Sequence, residues 1–131
     1  MQAYPVRLLP GQDLRAALEA LAATHGATAA FVLQGIGSLS VARIRYAGVA
    51  RADELRGDLE ILTLAGTLSP DGAHLHISVA DANGIMRGGH VERGCMVRTT
   101  AEILLILLPD HQFSRELDAG SGFRELVVGT R

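Results

Sequence analysis

Most of this chain alternates apolar and polar residues with a period of two, and one segment switches to a helical period. That segment is Asp13 to His25, where Leu14, Ala17, Leu18, Leu21 and Ala22 share one face at 3.6-residue spacing. Asp13 can cap its start, and Gly26 can take the left-handed conformation that ends a helix. The alternating pattern predicts strands at Ala3–Leu9, Ala29–Leu33, Ser40–Ala47, Leu59–Leu68, Ala73–Ala80 and Ile85–His90. A short strand is predicted at Cys95–Val97, a longer one at Ala101–Leu108, and final ones at Phe113–Leu117 and Phe123–Val128. Pro10-Gly11, Ser69-Pro70-Asp71-Gly72 and Asp81-Ala82-Asn83-Gly84 read as turns. In the last of these, Asn and Gly both tolerate the positive φ of a tight hairpin. Gly35 and Gly37 predict a bend or bulge that interrupts the pattern, and residues 48–57 read as a polar excursion between strands.

Many strands with one main helix predict an α+β fold, largely antiparallel, in a compact single domain over residues 1–131. The strand Ile103-Leu104-Leu105-Ile106-Leu107-Leu108 is apolar on both faces, because successive side chains point to opposite sides. A helix of about 13 residues covers only one face of such a sheet. The other face needs cover from a second copy, so the pattern predicts a homo-oligomer.

Composition narrows the class. A length of 131 residues suits one domain, which buries roughly two-thirds of its unfolded surface. Apolar residues make up 48%, which excludes a disordered chain. The longest apolar run is far short of the roughly 20 residues of a membrane span. No basic start followed by an apolar block is seen, so a secretory leader is not expected. Cys95 has no partner for a disulfide, and the expected location is cytoplasmic. All 12 basic residues are arginine, and the net charge is −2. That balance argues against a dedicated nucleic-acid surface.

The candidate chemistry lies in His74, His76 and His90. His74 and His76 sit two apart on a predicted strand, so both point to one face with Cα atoms roughly 6.5–7 Å apart. His90 returns across the Asn83-Gly84 turn to the end of the hairpin where those two begin. Three neutral imidazoles with an open fourth position suit zinc or another divalent metal. Gly88 and Gly89 are expected to leave room there for an ion or a small ligand. An H-x-H pair on a half-buried strand can also serve packing alone. Glu92 and Glu102 are acid/base candidates beside a metal-bound water. Cys95 reads as a small core residue, with a fourth-ligand role as the alternative. His25 reads as a helix C-terminal residue and His111 as an exposed turn residue. Gly35-Ile36-Gly37-Ser38 lacks the spacing of a phosphate loop, and no G-x-S-x-G elbow occurs. No catalytic constellation is complete.

The segments PGQDLRAAL, FVLQGIGSLSVARIRYA, LEILTLAGTLS, HLHISVADANG, GGHVERGCMVRTTAEILL, FSREL and ELVV resemble the PPC domain family, also called DUF296 or the PD1-like domain. The likeness runs from about Tyr4 to Val128. It implies a homotrimer, and a metal site, zinc in some prokaryotic members, at the positions of His74, His76 and His90. In plant members the domain follows an AT-hook, and this chain shows no R-G-R-P run. A plant G-R-F-E-I-L interaction motif corresponds here to Gly57-Asp58-Leu59-Glu60-Ile61-Leu62, which departs at Asp58 and Leu59. Three functions follow as expectations: a trimeric metal-binding protein holding a small ligand, a DNA-binding regulator using Arg43, Arg45 and Arg51, and a scaffold for protein partners without chemistry.

Overall fold

A computed structural model describes residues 1–131. The elements run β1 (Gln2–Leu8), α1 (Leu14–Thr24), β2 (Ala30–Arg45), β3 (Asp53–Ser69), β4 (Gly72–Ala80), β5 (Met86–Val91), β6 (Met96–Leu107), β7 (His111–Leu117) and β8 (Arg124–Thr130). Every strand pairing is antiparallel. The six-stranded sheet has the order β1-β6-β2-β3-β4-β5, and β2 also pairs with β5 through Ile44–Val91 and Arg45–His90. Strands β2 to β5 therefore close on themselves. Strands β7 and β8 form a separate hairpin. The largely antiparallel sheet with one main helix forms as expected; that helix is short, 11 residues, so the α+β label fits only loosely.

The helix forms where its period and caps predict. The side chain of Asp13 accepts from the Ala16 N–H at 2.9 Å and from the Gly94 N–H at 2.6 Å. Leu14, Leu18 and Ala22 are buried on its inner face against β3 and β4. Gly26 ends it at φ 60°. His25 caps the helix, its Nδ1 lying 2.8 Å from the Leu21 carbonyl and its ring edge-on to Tyr4.

Two expected breaks are absent. Ala29–Leu33 and Ser40–Ala47 belong to one 16-residue strand, β2, and Cys95–Val97 and Ala101–Leu108 to one strand, β6. The glycines at 35 and 37 do mark irregularity: the β2–β6 register shifts between Val32 and Gln34 and again between Gly37 and Leu39. Bulges of this kind bend a strand without ending it. They let β2 reach β6, β3 and β5 in turn. The excursion at 48–57 is also shorter than expected, since β3 starts at Asp53.

Strand β3 shows why a strict period of two hides a long strand. Its buried apolar residues are Leu59 and Ile61, then Leu64 and Leu68. A register shift between Ile61 and Thr63 inserts one residue, so the inward phase changes from odd to even positions. Both halves then face the same core. That core joins these residues to Val32, Leu39, Ile44, Leu75, Ile77, Val91, Ile103 and Leu105.

The outer face of the sheet stays apolar in part. Phe31, Leu33 and Ile36 of β2 are exposed, and Leu104 and Ile106 of β6 are half-buried beside them. The chain covers some of this face itself, with buried Phe113 of β7 edge-on to Phe31 at 5.8 Å. All three turns form as read, over Pro10-Gly11, over Pro70-Asp71 and around Asp81–Gly84, although of Asn83 and Gly84 only the glycine adopts positive φ. His111 is not a turn residue: it is half-buried and opens β7.

Candidate metal centre

Strand β4 alternates cleanly. Ala73, Leu75, Ile77 and Val79 point into the core, so His74 and His76 must point out. His90 of β5 is the direct cross-strand partner of His76. Residues so paired have Cβ atoms roughly 5 Å apart, which brings imidazoles into contact. The three rings cluster accordingly, with centroids 5.0 Å apart for His74 and His76, 4.7 Å for His76 and His90, and 5.5 Å for His74 and His90. One ring nitrogen from each lies within 4.8 Å of the others.

This donor set fits a divalent ion. Zinc–nitrogen bonds of about 2.0–2.1 Å in a tetrahedron place the nitrogens roughly 3.4 Å apart. The rings need to close by little more than an ångström. His74 and His76 are exposed and His90 half-buried, so the three rings lie outside the core.

The electrostatics favour the neutral, ligating form of two rings. Burial lowers the pKa of His74 below its ordinary 6.5, and the Arg115 guanidinium and the other two imidazoles lower it further, against an opposing pull from Glu125. Burial also lowers His90, helped by Arg45 and His76 and opposed by Glu92.

Gly88 and Gly89 do not provide room for an ion, contrary to the sequence reading. A Cβ at Gly88 would stand 2.8 Å from the Ile77 carbonyl oxygen, and one at Gly89 would stand 2.7 Å from that of Arg45. These glycines let β5 close against β4 and β2. They position His90 through the strand rather than by leaving space.

Beside the cluster opens a cleft of about 580 Å³. His74 and His90 line it, together with Arg15, Arg45, Arg115 and Arg124. Glu92 is there too, ion-paired to Arg45 at 3.1 Å and to Arg15 at 3.5 Å. The Arg115 guanidinium donates to the Thr67 hydroxyl at 2.7 Å and lies 3.1 Å from His74 Nδ1. Its backbone N–H is held by Asp71, and the Arg124 guanidinium donates to its carbonyl at 2.6 Å.

Two other candidates lie elsewhere. Glu102 lines a separate groove between β1, β6 and β2 with Arg7 and Ile36. Cys95 is fully buried, its sulfur accepting from the Arg43 N–H and donating to the Arg43 carbonyl, so it sits in the core apart from the three histidines, and burial pushes its thiol up to about 11. Arg115 and Arg124 are the functional candidates that sequence patterning missed. They lie 41 and 50 positions from His74 along the chain, and no local motif links them to it. The one signal was Arg115 at the centre of the FSREL segment.

The Plants and Prokaryotes Conserved (PCC) domain family matches residues 1–109. A Synechococcus protein described as bifunctional protein GlmU is 49% identical over 128 residues, 98% of this chain. The chain spans about a fifth of that relative's length (20%). Among solved structures, a hypothetical protein from Salmonella enterica superposes with a TM-score of 0.96 at 42% identity, covering 99% of this chain and 94% of its own. A protein from Archaeoglobus fulgidus described as metal-containing shares the fold with a TM-score of 0.83 at 24% identity, over 97% of this chain and 94% of its own. A Ralstonia eutropha protein provisionally described as DNA-binding shares it at 0.75 and 24% identity, over 96% and 90%.

Proposed function

We propose that this chain, which belongs to the Plants and Prokaryotes Conserved (PCC) domain family, is a metal-binding protein that holds a divalent ion, zinc foremost, on His74, His76 and His90. The observation carrying this reading is the convergence of three ring nitrogens within 4.8 Å on an outward face, beside a cleft large enough for a small ligand. The metal-containing description of the Archaeoglobus fulgidus neighbour supports it. When bound, the ion supplies a Lewis-acid position open to the cleft. The chain's own residues orient the rings: Arg115 contacts His74, and the β4–β5 register sets His76 against His90.

The test is zinc titration of chelator-treated protein, read as metal per chain by elemental analysis. One ion per chain is expected. Less than about a tenth of an ion, with no uptake of added Zn²⁺, removes the reading, since a three-imidazole site binds tightly. The same titration has an expected pH dependence. Ligation needs neutral imidazoles. The folded pKa values of His74 and His90 lie below 6.5, so protons do not compete for them at neutral pH. The contribution of His74 and His90 to affinity is expected to hold as pH falls to 6.5 and to drop only below it, by up to about tenfold per histidine per pH unit. A steep loss already between pH 8 and 7 contradicts this. In the metal-free protein the sign is the same. The unfolded chain takes up protons at a higher pH than the folded one, so stability is lost as pH falls through this window.

The exposed apolar stripe of Phe31, Leu33 and Ile36, with Leu104 and Ile106 beside it, supports a homo-oligomer, a homotrimer by resemblance to the family. Sedimentation equilibrium is expected to give a multiple of the 13.8 kDa chain mass. A stable monomer at micromolar concentration removes this part.

Duplex DNA is the second reading, favoured by the description of the Ralstonia eutropha neighbour. Two of its three candidate contacts are already engaged, Arg43 with Glu54 and Arg45 with Glu92, which leaves Arg51. Salt-dependent binding to duplex DNA would support this reading, and no gel shift at low salt would remove it.

A further inference from the structure

The cleft beside the histidines has a charge pattern that the metal alone does not explain. Four guanidinium groups line it, and they divide into two kinds. Arg15 and Arg45 are neutralised by ion pairs to Glu92, and Arg15 also to Glu19. Arg115 and Arg124 make no ion pair at all. Each commits only Nη2, to neutral groups: Arg115 to the Thr67 hydroxyl and the His74 ring, Arg124 to a backbone carbonyl. Half of each planar fork remains for an acceptor. Asp71 and Glu125 also line the cleft, Asp71 accepting from the Arg115 backbone N–H and Glu125 from the Ser121 hydroxyl, and neither forms an ion pair with Arg115 or Arg124.

A divalent ion on three uncharged imidazoles keeps its full charge of +2. The cleft sets four guanidinium groups against three carboxylates, Asp71, Glu92 and Glu125, so with the ion bound it would carry an excess of positive charge that an anion can meet. We infer that the cleft binds a phosphomonoester, whose terminal phosphate the guanidinium groups of Arg115 and Arg124 would hold beside an ion carried by His74, His76 and His90. A terminal phosphate has three equivalent oxygens and a charge near −2, enough for one ion and two guanidinium groups at once. A carboxylate carries only one charge, half that of the phosphate, against the same positive groups. The cleft's 580 Å³ far exceeds a phosphate ion and falls in the range of pockets that take small-molecule ligands. Phe123, 72% exposed at the edge of the same cleft, offers a ring to the uncharged part of such a ligand.

Arg115, Phe123 and Arg124 all lie on or beside the β7–β8 hairpin, outside the residues 1–109 that match the family. The ligand class is thus set by a part of the chain that the family match does not cover. The inference rests on the metal reading, because the ion would supply part of the positive charge that the phosphate meets.

The test uses zinc-loaded full-length protein and inorganic phosphate as the probe. Affinity is read by calorimetry, and the metal's surroundings by the visible spectrum of the cobalt-substituted protein. Phosphate is expected to bind the loaded protein, to shift the cobalt bands, and to resist displacement by acetate at equal concentration. Arg124 touches none of the histidines and is exposed, so Arg124→Gln should fold and take up one zinc per chain as before. Its phosphate affinity should fall about tenfold or more, the loss of a charge-assisted bond. Arg115→Gln should lose phosphate to a similar degree. A protein that takes up zinc but shows no phosphate binding overturns the proposal and leaves the metal reading standing. So does an Arg124→Gln variant that binds phosphate as tightly as the parent. Acetate displacing phosphate at equal concentration overturns the choice of phosphate. A chain that takes up no zinc overturns both, and the zinc stoichiometry tells the cases apart.

Discussion

His76→Ala is expected to abolish tight zinc uptake and leave the fold intact. His76 is the central member of the cluster, in contact with His74 on its own strand and with His90 across the β4–β5 pair. Removing it leaves two rings whose centroids are 5.5 Å apart, a bidentate site open to water. Tetrahedral structural zinc sites carry roughly 10–16 kcal/mol over four ligands, so one ligand accounts for about 3 kcal/mol, or about a hundredfold or more in affinity. The side chain is exposed and makes no hydrogen bond within the chain, so the metal-free melting temperature should change little. Zinc per chain and thermal unfolding, measured on both proteins, separate the two effects. A variant that keeps one tightly held zinc removes His76 from the site.

Gly66→Ala is expected to have the largest effect on stability, and to reach the same site through the backbone. Gly66 pairs with Leu75 on β4, next to His74. Its φ is 155°, at the margin of what a side-chain-bearing residue adopts. A Cβ there would run into the carbonyl oxygen of His74 and lie 2.8 Å from the Cα of Leu75. Both are backbone atoms in the middle of a strand pair, so neither can rotate aside. Backbone strain and overpacking together cost about 3–5 kcal/mol. That is a large part of the 5–15 kcal/mol typical of a whole domain. A urea titration should show the midpoint falling steeply, and zinc uptake should weaken because His74 is displaced. An unchanged midpoint would mean that β3 and β4 can separate here at little cost.

Different elements of this fold were legible to different degrees. The helix was readable because its signals are local: a 3.6-residue apolar period, an Asp cap and a Gly stop all act within 14 residues. The β4–β5 hairpin was readable for a related reason. Alternation fixes which way His74 and His76 point, and the Asp81–Gly84 turn fixes what lies opposite them. The length of β2 and β3 was not readable. Their bulges shift the inward phase by one residue, which in sequence looks like the end of one strand and the start of another. The role of Gly89 was misread because the strand that closes on it, β2, approaches from more than 40 positions away, while Gly88 is closed by Ile77 of its own hairpin partner, β4. From local sequence, a glycine that admits a ligand looks the same as one that admits a backbone.

By itself, then, the sequence determined the strand-rich class, the one helix and the outward convergence of three histidines on a hairpin. All of these follow from periodicity and turn chemistry, which act between near neighbours. Tertiary structure alone decided that β2 and β5 close the sheet, that Glu92 shares the cleft while Glu102 does not, and that Arg115 and Arg124 arrive beside His74. Those outcomes depend on how a bulged strand curves and on where a hairpin 40 residues downstream comes to pack. The curvature is summed over many residues and the packing is set by burial in a shared core, so neither leaves a pattern at any single place in the chain.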